Sequence, residues 1–197
     1  MPAWLILLPV ALADTPAQYG ATYELHHGEG PGPQVVTPAK VTASSTLTEG
    51  SVSYAAARVA DGKLSTAWCE GQPGSGTGAS LTLHFDTPIQ VRWIELWGGY
   101  FLDEKRLFTN ERVQSYRISF DDHTHQRVRS SDVPRDGFAA AQRSPNVVAN
   151  AAWVEPGLSA ALQPVLSKSV TIEVLSVFPG DKYTDLCISE VKVYTQP

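Results

Sequence analysis

Between Leu81 and Tyr194 the chain runs or alternates apolar in short stretches: Leu81–Phe85 (LTLHF), Ile89–Trp97 (IQVRWIELW), Arg112–Phe120 (RVQSYRISF), Ser169–Phe178 (SVTIEVLSVF) and Ile188–Tyr194 (ISEVKVY). All are rich in β-branched and aromatic residues and are flanked by turn-forming residues, which is the signature of strands. Ile89, Val91 and Trp93 fall on one face, and Val113, Tyr116, Ile118 and Phe120 give a less regular version of the same pattern. One face of each strand is therefore expected in a core and the other in solvent. Helical patterning is weak: Ser53–Val59 (SYAAARV), ended by Asp61-Gly62, and the shorter Phe138–Gln142 (FAAAQ). Neither is long enough to cross between parallel strands. The pattern predicts an all-β fold, an antiparallel sandwich or barrel, with one or two short helical turns.

Upstream of these strands the pattern changes. Trp4–Leu12 is a short apolar run, and Ala11-Leu12-Ala13 before Asp14 fits a signal-peptidase site, so residues 1–13 read as a signal peptide. Residues 14–40 contain GEGPGP (Gly28–Pro33) and little periodicity, which describes a linker. The domain proper is expected over residues 41–197. This placement makes the protein secreted or periplasmic.

Composition narrows the function. The 197 residues carry a net charge of -5 with Lys and Arg scattered singly, which argues against nucleic acid and against an anionic membrane surface. No apolar run approaches the roughly 18 residues of a membrane span. Cys69 and Cys187 are the whole thiol content; in an exported chain they can form one bridge, or remain two buried thiols.

Two segments and one histidine carry the residue types of chemistry and read better as a loop, a turn and a strand residue. Gly71–Gly78 (GQPGSGTG) leads into a strand, not a helix, and has no Lys-Ser/Thr, so it is a surface loop and not a phosphate cradle. Asp121-Asp122-His123-Thr124-His125 has metal-ligand chemistry but sits at a strand end, where Asp-rich turns are common for backbone reasons. His84 alternates with Leu83 and Phe85 and is expected to face solvent. No nucleophile elbow is found, and nothing in the pattern favours a catalytic carboxylate pair.

Taken in order, Arg58-Val59-Ala60-Asp61-Gly62, Thr66-Ala67-Trp68-Cys69-Glu70-Gly71, Trp97-Gly98-Gly99-Tyr100, Asn110-Glu111-Arg112-Val113 and Phe178–Val191 (FPGDKYTDLCISEV) resemble the discoidin-like domain of a streptococcal NAD-glycohydrolase toxin, over about residues 41–195. That domain is related to coagulation-factor type C and galactose-binding modules. The resemblance implies a galactose-binding-like jelly roll of about eight strands. It also implies recognition of a glycan or cell-surface glycoconjugate without catalysis; the alternative is a structural subunit docked to a protein partner. By the same resemblance Asp61, Thr66 and Glu190 match the ligands of a structural calcium, whose oxygen chemistry suits such loops. Tyr100, Phe101, Phe108, Asn110 and Arg112, with Trp68 and Glu70 from a facing loop, are the candidate ligand-binding residues, because sugar recognition combines aromatic faces with hydrogen-bonding groups. For Trp68 a core plug is the stronger reading. Cys69 stands where the family pattern has an apolar residue, and this departure favours a bridge to Cys187.

Overall fold

The computed structural model describes residues 16–17, 34–143, 146–149 and 165–195. The expected signal peptide lies outside them, and so does most of the expected linker. The strands are β1 (Pro16–Ala17), β2 (Gln34–Val36), β3 (Lys40–Ala43), β4 (Thr48–Glu49), β5 (Val52–Ser53), β6 (Trp68–Cys69), β7 (Ser80–Trp97), β8 (Arg112–Phe120), β9 (His125–Ser130), β10 (Asn146–Ala149), β11 (Val165–Phe178), β12 (Cys187–Ile188) and β13 (Glu190–Thr195). Two short helices, α1 (Glu104–Thr109) and α2 (Phe138–Arg143), and a 3₁₀ turn at Ala56–Ala60 complete the described elements. None of these helices is long and apolar enough to cross a membrane.

The main sheet runs β1-β9-β8-β11-β7-β13-β2, with β3 and β10 also pairing β7. Its pairings are antiparallel except for β1 alongside β9. The sheet curls because β7, 18 residues long, serves two sets of neighbours. Its first part, Ser80–His84, pairs β11 on one side and, from Leu81 on, β3 on the other; its last part pairs β13 and β10. Between them the register against β11 jumps from His84–Ser169 to Ile89–Ser167, so Phe85–Pro88 bulges out. Proline lacks the amide a continuous ladder requires, which fits its place at this break. The two stretches predicted as separate strands are thus one bent strand.

A second irregularity, between Tyr194 and Thr195 of β13, inserts Arg92 and reverses the facing of the strand beyond it. Val91 is buried and Ile89 packs against the core as expected, and beyond the irregularity Ile94 and Leu96 carry the pattern onward; the Trp93 side chain lies outside what the structure describes. The core formed inside the curled sheet joins Leu81, Leu83, Val91, Ile94 and Leu96 to Tyr116, Ile118, Val170, Ile172 and Val193. Trp68 is fully buried within it, and its indole N–H donates to the Ser45 carbonyl at 2.9 Å. The core-plug reading of Trp68 holds.

Three further expectations are corrected. The predicted helix at Ser53–Val59 is only a 3₁₀ turn beginning at Ala56, since Ser53 ends β5. His84 does not simply face water: it is half-buried, with Nε2 3.0 Å from Thr42 Oγ1 on β3. The sheet also begins earlier than residue 41, because Gln34–Val36 pairs with β13 and Lys40 with His84. Composition alone had assigned both to the linker.

Candidate functional site

Cys69 and Cys187 form a disulfide in register across the short pair β6–β12. Around this buried bridge the chain builds a cleft of about 190 Å³, with Cys69 and Cys187 in its lining. Leu47, Glu49 and Tyr54 form one wall, and Tyr100, Lys105, Arg106, Thr109 and Asn110 form a second. Lys182, Tyr183 and Asp185 form the third.

Each wall is fixed by backbone hydrogen bonds. The Leu47 amide donates to Cys69 O and the Cys69 amide to Tyr54 O, so the hairpin wall hangs directly on the bridge. The second wall exists because Asp103 caps α1: its carboxylate accepts from the Arg106 amide at 2.6 Å, a first-turn donor otherwise lacking a partner. Leu107 and Phe108 turn inward to pack with Trp97, Phe101, Val133 and Ala141, which leaves Lys105 and Arg106 exposed at the cleft. The third wall is laced to α1 by the Asp181 amide on Phe108 O and by the Lys182 and Tyr183 amides on Thr109 O. Gly180 permits that approach, since a Cβ there would fall 2.4 Å from Tyr183 O and 2.6 Å from Thr109 O. Arg135 holds the same loop from outside with a two-pronged pair to Asp181, 2.6 Å for each prong.

The lining combines aromatic faces with polar groups. The Tyr54 and Tyr100 rings meet edge to face at 6.1 Å, and the Tyr54 hydroxyl donates to Glu49 at 3.3 Å. Tyr183 is 43% exposed, with the Lys182 ammonium 4.7 Å from its ring centre. Burial, and secondarily the Glu49 carboxylate, push the Asp185 carboxyl above its ordinary value. Behind the wall Glu70 and Glu111 are raised likewise, chiefly by burial. These two acids fasten the 71–78 loop: Glu70 accepts from the Gln72 amide at 2.6 Å and Glu111 from the Gly76 amide at 2.9 Å.

Of the seven residues expected to bind ligand, Tyr100 and Asn110 line the cleft. The other five are turned to structural work. Trp68 and Glu70 are buried, Phe101 stacks on Phe138 in the second core cluster, and Phe108 lies under the Arg112 and Arg135 guanidiniums. Arg112 pairs in two-pronged fashion with Asp132 at 2.8 and 2.9 Å and donates to Leu107 O and Asn110 O. A guanidinium so fully engaged, and 5% exposed, has no fork left for a ligand. Asn110 itself spends its side-chain amide on Arg106 O. Tyr54, Lys105, Arg106, Lys182, Tyr183 and Asp185 were not anticipated as lining. Their available signals were the capping Asp103 and the turn residues Pro179-Gly180-Asp181.

A second site lies at the start of β13. Glu190 is 3% exposed, its Oε2 has no hydrogen-bond partner, and its carboxyl is pushed up to about 7 by burial and then by the Asp61 carboxylate. Asp61 accepts from Thr66 Oγ1 at 2.8 Å and from the Lys63 amide at 3.0 Å. The structure therefore brings Asp61, Thr66 and Glu190 together. Two carboxylates that repel one another, one with an orphaned buried oxygen, make an all-oxygen donor set of the kind calcium accepts. The Asp121–His125 segment, by contrast, is an exposed turn in which Asp122 Oδ1 accepts from Thr124 and His123 takes φ 67°.

Comparison with known proteins bears on the fold. No curated protein matches the chain. Among solved structures, the family 32 CBM of C. perfringens NanJ in complex with galactose is similar at TM-score 0.53 and 16% identity, covering 82% of this chain and 98% of that one. CBM32-3 from a family 31 glycoside hydrolase of Clostridium perfringens is similar at TM-score 0.55 and 17% identity, covering 83% and 95%. The CBM32 of AlyQ in complex with 4,5-unsaturated mannuronic acid gives 0.50 and 15%, covering 81% and 97%. At such identities the likeness shows the fold, a jelly-roll sandwich. The model of the NAD glycohydrolase translocation F5/8 type C domain matches residues 34–194, and the chain belongs to that family.

Proposed function

We propose that this chain is a non-catalytic saccharide-recognition module that works outside the cytoplasm, with the disulfide-floored cleft as its binding site. The observation that carries the reading is the lining: Tyr54, Tyr100 and Tyr183 offer ring surface for the apolar side of a sugar, and Glu49, Lys105, Arg106, Lys182 and Asp185 offer polar groups for its substituents. Tyr54, Lys182 and Tyr183 are held by backbone bonds, and α1 by its Asp103 cap, which limits reorganisation on binding. The volume is below the roughly 300 Å³ at which sites for larger organic ligands begin, which suits one ring of a chain end. The fold neighbours named with galactose and with unsaturated mannuronic acid support the same class of ligand. The disulfide supports an oxidising compartment.

A calcium ion held by Asp61, Thr66 and Glu190, with neighbouring carbonyl oxygens, belongs to this proposal. Its role would be structural, since it neutralises the two facing carboxylates.

The test is a glycan array followed by calorimetry on the Tyr183→Ala variant. Tyr183 is exposed, so the change should leave the melting temperature within a degree or two and weaken binding roughly tenfold, the loss of one aromatic contact of about 1 kcal/mol or more. A folded sample that binds no saccharide, but co-purifies with one protein, would replace this reading by that of a docking subunit.

A catalytic reading has one observation in its favour: Glu49 and Asp185 line the same cleft, with Asp185 raised and partly governed by Glu49. Release of reducing sugar from a bound oligosaccharide, abolished in Glu49→Gln, would establish it. We expect none, because the Tyr54 hydroxyl already holds Glu49.

A further inference from the structure

The cleft is charged in a way the whole chain is not. The protein carries 20 acidic against 15 basic residues, yet three cations, Lys105, Arg106 and Lys182, face two carboxylates across this one small site. Lys105 and Arg106 are consecutive on α1, both exposed, and neither side chain has an ion-pair or hydrogen-bond partner among the described residues. Lys182 lies over the Tyr183 ring and forms no ion pair there either. The two carboxylates are less available: Glu49 accepts the Tyr54 hydroxyl, and Asp185 is half-buried.

We propose that the saccharide bound in this cleft is anionic, carrying a carboxylate or a sulfate ester that Lys105 and Arg106 meet from α1 and Lys182 from the facing loop. The inference rests on the reading of the cleft as a saccharide site. A guanidinium offers a planar fork that matches the two oxygens of either anion, and an ammonium adds a point charge with rotatable donors. The tyrosine rings beside them supply the apolar surface against which the sugar ring lies. Arg58, 5.6 Å over the Tyr54 ring, adds positive potential from behind. Exposed cations act through solvent, so the attraction is screened by salt, whereas ring stacking is not.

The experiment uses the full chain and three probes built of galacto-configured rings: oligogalacturonate, its methyl ester, and a sulfated galacto-oligosaccharide. The expected result is that one or both anionic probes bind roughly tenfold or more tightly than the ester, with an affinity that falls as salt rises above physiological strength. Which anionic probe binds distinguishes carboxylate from sulfate. The double variant Lys105→Ala/Arg106→Ala should lose the preference while melting as the parent does; Lys182→Ala, on the opposite wall, should lose part of it. Equal or tighter binding of the ester would overturn the inference and leave saccharide recognition standing. So would an anionic preference unchanged in all these variants. A folded chain that binds none of the three probes and no glycan on the array would remove both readings together.

Discussion

At the residue scale the clearest consequence concerns Glu190. Its carboxyl is held near 7, well above the roughly 4.3 of an unfolded chain, by burial and by Asp61. A raised carboxyl means that the fold prefers the protonated form. The stabilisation is fully present below the unfolded value and is lost as pH rises through about 7. In EDTA the melting temperature should therefore decline from about pH 5 to pH 8, and Glu190→Gln should flatten the decline. The buried Glu70 and Glu111 and the half-buried Asp185 are raised too and act in the same direction at lower pH. Calcium should raise the melting temperature above pH 7 and do little at pH 5, since it stabilises only the state that binds it and competes with the proton. A melt indifferent to calcium at every pH would remove the ion and leave the pH slope. The pairing of Asp61 with Glu190 was legible in the sequence only through family resemblance. Carboxylates drawn from a turn and a strand over a hundred residues away leave no spacing of their own.

At the element scale the weak pieces are β6 and β12, two residues each, too short to persist on hydrogen bonds alone. The bridge between them closes a separation of 118 residues, for which chain entropy gives an upper figure of about 5 kcal/mol. Reduction should lower the melting temperature. It should also weaken saccharide binding in samples still folded, because the hairpin wall at Leu47 and Tyr54 is bonded to Cys69. Calorimetry with and without reductant checks this, and unchanged affinity after full reduction would show that the walls stand without their floor. The same contrast explains what sequence patterning revealed. β8 and β11 are long enough for period-two alternation to show, whereas two-residue strands and a one-and-a-half-turn helix have no period to detect. α1 was therefore missed, and with it Lys105 and Arg106; Phe108 and Arg112 were taken for displayed groups when α1 turns Phe108 into packing and Arg112, at the start of β8, is engaged by Asp132.

At the scale of the whole molecule β7 holds the fold together, since it pairs with β3, β11, β13 and β10 along its length. The jelly roll was legible because alternation, turn spacing and the ordered motif set agreed on it. What escaped was the bend: local alternation cannot tell two strands from one strand interrupted by a bulge. The boundary escaped as well, because the partner that makes Gln34–Val36 a strand is β13, at the far end of the chain.

That last pairing, Val36 beside Val193, brings the two ends of the stretch matched by the family, residues 34–194, side by side. A host polypeptide would enter and leave at adjacent strands, so the domain can be inserted into an exposed turn of an unrelated protein without stretching either. The same adjacency makes the domain permutable. Joining Thr195 to Gln34 through a few glycines, without β1, and reopening the chain at the exposed Asp121–Thr124 turn should yield a protein of different strand order in sequence and, from β2 to β13, the same order in space. Its melting curve and cleft affinity should match the parent's. A permutant that fails to fold would show that the order of synthesis, and not only the final pairing, is built into this chain.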